Sequence, residues 1–289
     1  MLALTFSMAL YTANDTCVKL VGRALPFGEI IFLRGVLSVA ILVAAMTFCG
    51  QLRAIPRRCG RSVMWRSLFD ALGTVCFIAA LVRMNFADLA AIVLTSPLLL
   101  TAFAALTLGS RVGWRRWMAI GIGLMGTLLI VKPNATTFDV WALVALAAAF
   151  FSAGRDLVTR RIEPGISTLT IGLYGAIAVT LAGAALGLTE TWIMPTATEW
   201  LGLTVAAVFL GAGSYFAVLA FRDVDIPAIA PFRYTLLIWA GISGYFVFGE
   251  IPDRWSLLGA GLIALSGLYA LHRERVRHRE LSARAIPPA

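Results

Sequence analysis

The chain has 289 residues, of which 60% are hydrophobic and only 13% charged, and its mean hydropathy is +0.87. Soluble domains carry about 25% charged residues, so this composition excludes a soluble fold and points to a protein that uses lipid as its solvent. The formal charge of +9 would suit a nucleic acid, but the cations lie between apolar runs and in the tail, where membrane topology places them, so no nucleic-acid partner is expected.

The apolar runs are continuous rather than alternating, which predicts helices and not a β-barrel. At roughly 20 residues per span the length accommodates ten. In chain order they are expected at 2–21, 28–48, 63–83, 87–108, 115–131, 140–159, 168–188, 199–221, 226–248 and 255–271. Pro26, Pro56, Pro133, Pro164, Pro195 and Pro252 mark the breaks. The start is apolar, without a basic leader region or a small-x-small cleavage site, so the first helix is read as retained. Cys17, Cys49, Cys59 and Cys76 form no C-x-x-C pair and read as free thiols, and both histidines, His272 and His278, fall in the polar tail. Neither a metal nor another cofactor is expected.

Arginine sets the orientation. The second-to-third link holds Arg53, Arg57, Arg58 and Arg61, the fourth-to-fifth Arg111, Arg115 and Arg116, and the sixth-to-seventh Arg155, Arg160 and Arg161. The tail adds Arg273, Arg275, Arg277, Arg279 and Arg284. All fall on one side of a ten-helix bundle. The positive-inside rule puts that side and both termini in the cytoplasm of a bacterial-type inner (plasma) membrane.

A shift of 141 residues maps Asp15 and Lys19 onto Asp156 and Arg160, Trp114 onto Trp255 and Gly126 onto Gly267. Gly109 fits Gly249 better at a shift of 140, as a loop indel would allow. Five helices per repeat is an odd number, so the second half runs inverted, a plan that puts a substrate site near the midplane between the halves. The expected units are 1–134, 135–271 and a basic cytoplasmic tail, 272–289.

Asn14–Asp15 with Lys19, Pro26, Phe32-Leu33-Arg34, Pro97, Phe248-Gly249-Glu250 and the run from Trp255 to Gly267 carry a family resemblance. In their order and spacing, the sequence resembles the drug/metabolite transporter superfamily, in its ten-helix EamA branch that includes YddG-type amino-acid exporters. The resemblance spans roughly residues 5–271. It implies an all-α membrane carrier with a central cavity, working by alternating access. The implied cargo is an amino acid, aromatic ones included, or a similar small metabolite, with export favoured. Related ten-helix proteins import vitamins or cofactors such as riboflavin or S-adenosylmethionine, and that is the alternative. An intramembrane lipid enzyme is the rival class, and the sequence offers no catalytic motif for it. The chain departs from the family at Ser110, where Glu often follows Gly109. It also has Tyr174–Gly175 where the repeat of Arg34 would fall.

A charge in hydrocarbon costs at least about 2.5–3.5 kcal/mol, so intramembrane charges face the bundle interior and find partners. Asp15 is expected to pair with Arg34, with Lys19 and Glu29 nearer the headgroups. Toward the opposite face, Asp70, Asp156 and Arg233 are expected to gather with Arg155 or Arg160. Such clusters either lock helices together or act as gates, and their carboxyl groups offer a route for protons as coupling ion. The expected cavity wall is Tyr11, Phe77, Thr95, Ser96, Phe150, Tyr174, Tyr215, Tyr234 and Trp239. Pro97 and Pro231 are expected helix kinks. The partners expected are the small-molecule substrate and the lipid bilayer, with the chain a monomer or weak homodimer.

Overall fold

The computed structural model describes residues 2–50, 60–108, 113–131, 139–163, 165–221 and 230–285. They form α1 (Leu2–Val21), α2 (Phe27–Phe48), α3 (Arg61–Arg83), α4 (Phe86–Val93), α5 (Ser96–Leu108), α6 (Trp114–Val131), α7 (Val140–Thr159), α8 (Thr168–Gly187) and α9 (Ala197–Phe221). A 3₁₀ turn at Ala230–Tyr234 leads into α10 (Thr235–Phe248), and α11 (Arg254–Ala285) completes the fold. There is no strand among the described residues. Seven spans are long and apolar enough to cross a bilayer, with α4 and α5 counted as one. Trp117–Val131 and Phe232–Phe248 are shorter apolar helices, and α1 brings the total to ten.

The helix starts follow local chemistry. The Asp139 carboxylate accepts the Trp141 N–H at 2.9 Å, and the Ser167 hydroxyl accepts the Thr170 N–H at 3.2 Å. Each satisfies a donor that the first helical turn leaves open. At the end of α10, Gly249 adopts a left-handed φ of 67°, which costs a residue without Cβ little. Its N–H and that of Glu250 close back on the carbonyls of Tyr245 and Gly244.

Three boundaries differ from expectation. The fourth span is broken at Leu94–Thr95, because Pro97 has no N–H to donate to the carbonyl of Val93. The ninth begins as a 3₁₀ turn containing Pro231 and becomes α-helical only at Thr235, while 226–229 lie outside the described residues. The last helix continues past 271 to Ala285, since no glycine or proline interrupts it there and its arginines, glutamates and alanines favour helix.

The packing pairs are those that a five-plus-five repeat exchanges. The helix α1 packs on α9 and α10, and its counterpart α7 packs on α3 and on α4–α5. The pairs α2–α8 and α6–α11 map onto themselves. The break at Leu94 falls at the repeat position of Thr235, where the 3₁₀ turn gives way to α10. Ile30, Ile78, Leu81, Phe86, Leu89, Ile92 and Leu203 form the buried centre. Met125, Leu201, Phe246 and Leu265 face outward, as side chains bathed in lipid do.

Without a hydrophobic force between helices in lipid, close approach depends on small residues. A Cβ at Gly126 would meet the Gly259 carbonyl at 2.7 Å, and one at Gly259 would meet the Gly126 carbonyl at 2.5 Å. The α6–α11 crossing is therefore backbone on backbone. Gly121 and Gly261 have open space around them and take no part in it.

Candidate functional site

The turns that join α1 to α2, α3 to α4, α8 to α9 and α10 to α11 share one end of the bundle, poor in cations. Three carboxylates tie that end together. One Glu250 oxygen takes Lys19 Nζ at 2.6 Å, and the other accepts the Phe86 N–H at 2.7 Å. Lys19 Nζ also donates to the Met84 carbonyl at 2.7 Å and lies 4.9 Å from the centre of the Phe248 ring. Glu250 thus joins α1 to the start of α4 and the end of α10. Glu190 accepts the Gly28 N–H at 3.0 Å, and Glu29 accepts the Ile193 N–H at 3.0 Å, so α2 and the α8–α9 loop cap each other reciprocally. Carboxylates suit the starts of α2 and α4, because the first N–H groups of a helix are unpaired and carry partial positive charge, and Glu29 satisfies a loop N–H instead.

The opposite, cation-rich end is tied side chain to side chain. Arg155 on α7 donates to Asp70 on α3 at 3.0 Å and to its neighbour Asp156 at 3.1 Å. Arg66 lies 3.6 Å from Asp70, one turn away on the same helix. A Cβ at Gly175 would come within 2.7 Å of the Asp70 carboxylate, so the missing side chain on α8 leaves room for this cluster.

Between the two ends lies a cavity of about 280 Å³. Its polar lining is Tyr11, Asn14, Asp15, Arg34, Ser96, Ser152, Arg155 and Arg233, and Met8, Phe77, Phe86, Leu89, Val93, Leu94, Pro97 and Leu236 are among its apolar lining. Asn14 Nδ2 donates to Asp15 at 2.8 Å, and the Asn14 oxygen is buried with no partner among the described residues. The two halves carry related dyads 141 residues apart, Asn14–Asp15 in α1 and Arg155–Asp156 in α7, of which all but Asp156 line the cavity. In the first the partner of the carboxylate is a neutral amide, and in the second a guanidinium that neutralises it.

Several expected contacts are placed differently. Asp15 and Arg34 face the same cavity but form no ion pair within 4.0 Å; the Asp15 carboxylate is held by Asn14 instead. Lys19 is buried in the Glu250 tie rather than set among headgroups, because Gly249 turns the chain and brings Glu250 over it. Glu29, also expected near the headgroups, is buried against the α8–α9 loop. Arg160 caps α7 in an exposed position, and Arg233 lines the cavity; neither joins the Asp70–Arg155–Asp156 cluster.

Of the expected wall, Tyr11, Phe77 and Ser96 line the cavity. Thr95 is buried at the α4–α5 break, where its hydroxyl and N–H both turn to the Ile92 carbonyl. Phe150 is half exposed and stacks edge-on with Phe103 and Phe151. Tyr174 sits half-buried on α8 and Tyr234 is pressed against Gly267, both away from the lining. Trp239 packs with Leu4, Met8 and Tyr11 behind the wall. The side chains of Tyr215 and Pro231 lie outside the described residues. Pro97 is on the lining, in the first turn of α5. Ser152, Phe86 and the tying roles of Glu250 and Glu190 went unread in the sequence. The one signal for Glu250 was an acid placed directly after a helix-ending glycine.

The comparisons with known proteins agree with this architecture. A model of the EamA-like transporter family matches residues 1–132 and again 139–271. The S-adenosylmethionine uptake transporter of Rickettsia prowazekii is 26% identical over 93% of this chain and 92% of its own length. The pseudopaline exporter CntI of Pseudomonas aeruginosa is 27% identical over 89% of this chain and 90% of its own length. A riboflavin transporter of Vibrio cholerae is 31% identical over 65% of this chain and 63% of its own. A solved crystal structure with 18% identity superposes with a TM-score of 0.66 over 93% of this chain and 95% of that one, a likeness of fold. With both halves matched by the same model, the chain belongs to the EamA-like transporter family and is a multi-pass membrane transporter of a small molecule.

Proposed function

We propose that the protein is an amino-acid carrier that exports its cargo from the cytoplasm by alternating access between its two five-helix halves. The observation that carries this reading is a cavity of mixed polar and apolar lining that lies between two separate sets of ties. The cation-rich end faces the cytoplasm by the positive-inside rule, and both termini lie there. In the cycle, the Glu250–Lys19 and Glu29–Glu190 ties release at one end while the Asp70–Arg155–Asp156 cluster holds the other, and then the order reverses. Among the described residues no cation is in contact with Asp15 in the cavity, which supports it as the carboxyl group that takes up a proton and couples the cycle to a proton gradient.

The names of the relatives support a second reading, import of a vitamin or cofactor such as riboflavin or S-adenosylmethionine. Counterflow in proteoliposomes separates the two. Labelled amino acids, riboflavin and S-adenosylmethionine are offered to vesicles loaded with the same compound, with and without a pH gradient. Amino-acid exchange that an imposed pH gradient drives uphill supports the proton-coupled exporter. Exchange confined to a vitamin or cofactor overturns it in favour of the second reading. Asp15→Asn is expected to lose the response to the gradient, and a variant whose exchange still follows the gradient removes Asp15 from the coupling.

A further inference from the structure

The charged groups that line the cavity are unevenly paired. Arg34 is buried, at 9% exposure, and lines the cavity. It forms no hydrogen bond or ion pair with the described residues, although a guanidinium has five N–H groups to satisfy. The carboxylates of Asp15 and Asp70 act on it only from beyond contact distance, so its N–H groups are open to an anion that arrives with a ligand. Arg233, an exposed residue, also reaches the cavity and has no partner among the described residues. Arg155, by contrast, belongs to a cluster that is neutral as a whole, two guanidinium groups, Arg155 and Arg66, with two carboxylates, Asp70 and Asp156. Facing the two unpaired guanidinium groups are one carboxylate, Asp15, and the buried, unpartnered oxygen of Asn14.

Helix rise gives the spacing. Asp15 and Arg34 sit six and seven residues inside the cation-poor ends of α1 and α2, so both lie at a depth of roughly 10 Å at 1.5 Å per residue. Arg233, before the start of α10, lies roughly 20 Å from that same end. An acceptor pair and a cation therefore stand at one level, and a second cation stands about 10 Å deeper.

Resting on the amino-acid carrier reading, we propose that the cavity recognises an amino acid bearing a second carboxylate. Its ammonium group lies against the Asn14 oxygen and Asp15, its α-carboxylate on Arg34, and its distal carboxylate toward Arg233. The charges match: two unpaired guanidinium groups and one carboxylate leave a wall of one net positive charge, and the ligand carries one net negative charge. A sulfonium-bearing amino acid would bring positive charge into a positive wall. A neutral flavin would leave Arg34 unpaired.

The test is counterflow of labelled glutamate in proteoliposomes of the full chain, with glutamate, aspartate, alanine, phenylalanine, lysine and S-adenosylmethionine as competitors. Glutamate and aspartate are expected to compete at least ten-fold better than the neutral and cationic compounds. Arg233→Gln is expected to abolish that preference while alanine exchange persists. Arg34→Gln is expected to remove exchange of every amino acid, and Arg34→Lys to restore part of it. Unfolding temperatures in detergent establish that each variant is folded, and glutamate is expected to raise that of the parent but not that of Arg34→Gln. Equal or better competition by alanine, phenylalanine or lysine overturns the acidic preference and leaves the amino-acid carrier standing. A preference unchanged in Arg233→Gln removes Arg233 from recognition. Exchange of a vitamin or cofactor alone, or of nothing offered, overturns the amino-acid reading and this inference with it.

Discussion

The two ends of the bundle are tied by different chemistry, although the chain builds them from one repeat. At the cation-poor end Lys19 meets Glu250. The repeat places Arg160 opposite Lys19 and, at the shift of 140, Ser110 opposite Glu250, so the matching ion pair cannot form at the other end. There the carboxylates come from helix interiors instead, with Arg155 held between Asp70 and Asp156. Arg34 and Gly175 make the same point: one keeps its cation for the cavity, and the other gives its space to Asp70. An inverted repeat supplies two closures of similar position without requiring them to be of similar strength. The cation-poor closure uses buried charge and backbone N–H groups, and the cation-rich one uses partly exposed side chains.

That difference is open to attack in order of size. Glu250→Ala leaves Lys19 buried with only the Met84 carbonyl, and breaking such a pair costs about 3–5 kcal/mol. A large fall in unfolding temperature in detergent is expected, and an unchanged value would remove Glu250 from the closure. Arg155→Ala loses both its carboxylate partners but at a partly exposed site, so a loss of about 1–2 kcal/mol is expected in the same measurement. Glu190→Gln and Glu29→Gln each weaken one hydrogen bond to a backbone N–H, at about 1 kcal/mol apiece. Because the two bonds brace the same loop, the double variant is expected to lose less than the sum, and strict additivity would show that they act apart. Ser110→Glu, at a position outside the described residues, is expected to change stability by no more than about 0.5 kcal/mol. Its effect belongs in transport: with Arg160 given a partner, counterflow should slow, and an unchanged rate would break the analogy between the two ends.

The helices were legible because the bilayer imposes continuous apolar runs, and the repeat was legible because Asp15, Lys19 and Trp114 recur at one spacing. The gathering of Asp70 with Arg155 and Asp156 was also readable, since all three are intramembrane charges toward one face. The partner of Lys19 was not readable, because it depends on how the turn at Gly249 folds back across the bundle from 231 residues away. The cavity wall was read only in part. Helical periodicity does not tell a residue facing a cavity from one facing lipid when both sides are apolar, and so Phe150 was placed inward and Phe86 was overlooked.

Glu250 holds Lys19 with one oxygen and the Phe86 N–H with the other. A carboxylate that is rigid between its two oxygens cannot swing away from one partner and stay aligned with the second. On the proposed cycle α1, the start of α4 and the end of α10 therefore part as a single event, with no stage in which solvent reaches the cavity past one of the three alone. Leak would then be rare and all-or-none: vesicles without cargo should hold an ion gradient until the whole tie fails, and lose it abruptly rather than by degrees as the temperature is raised.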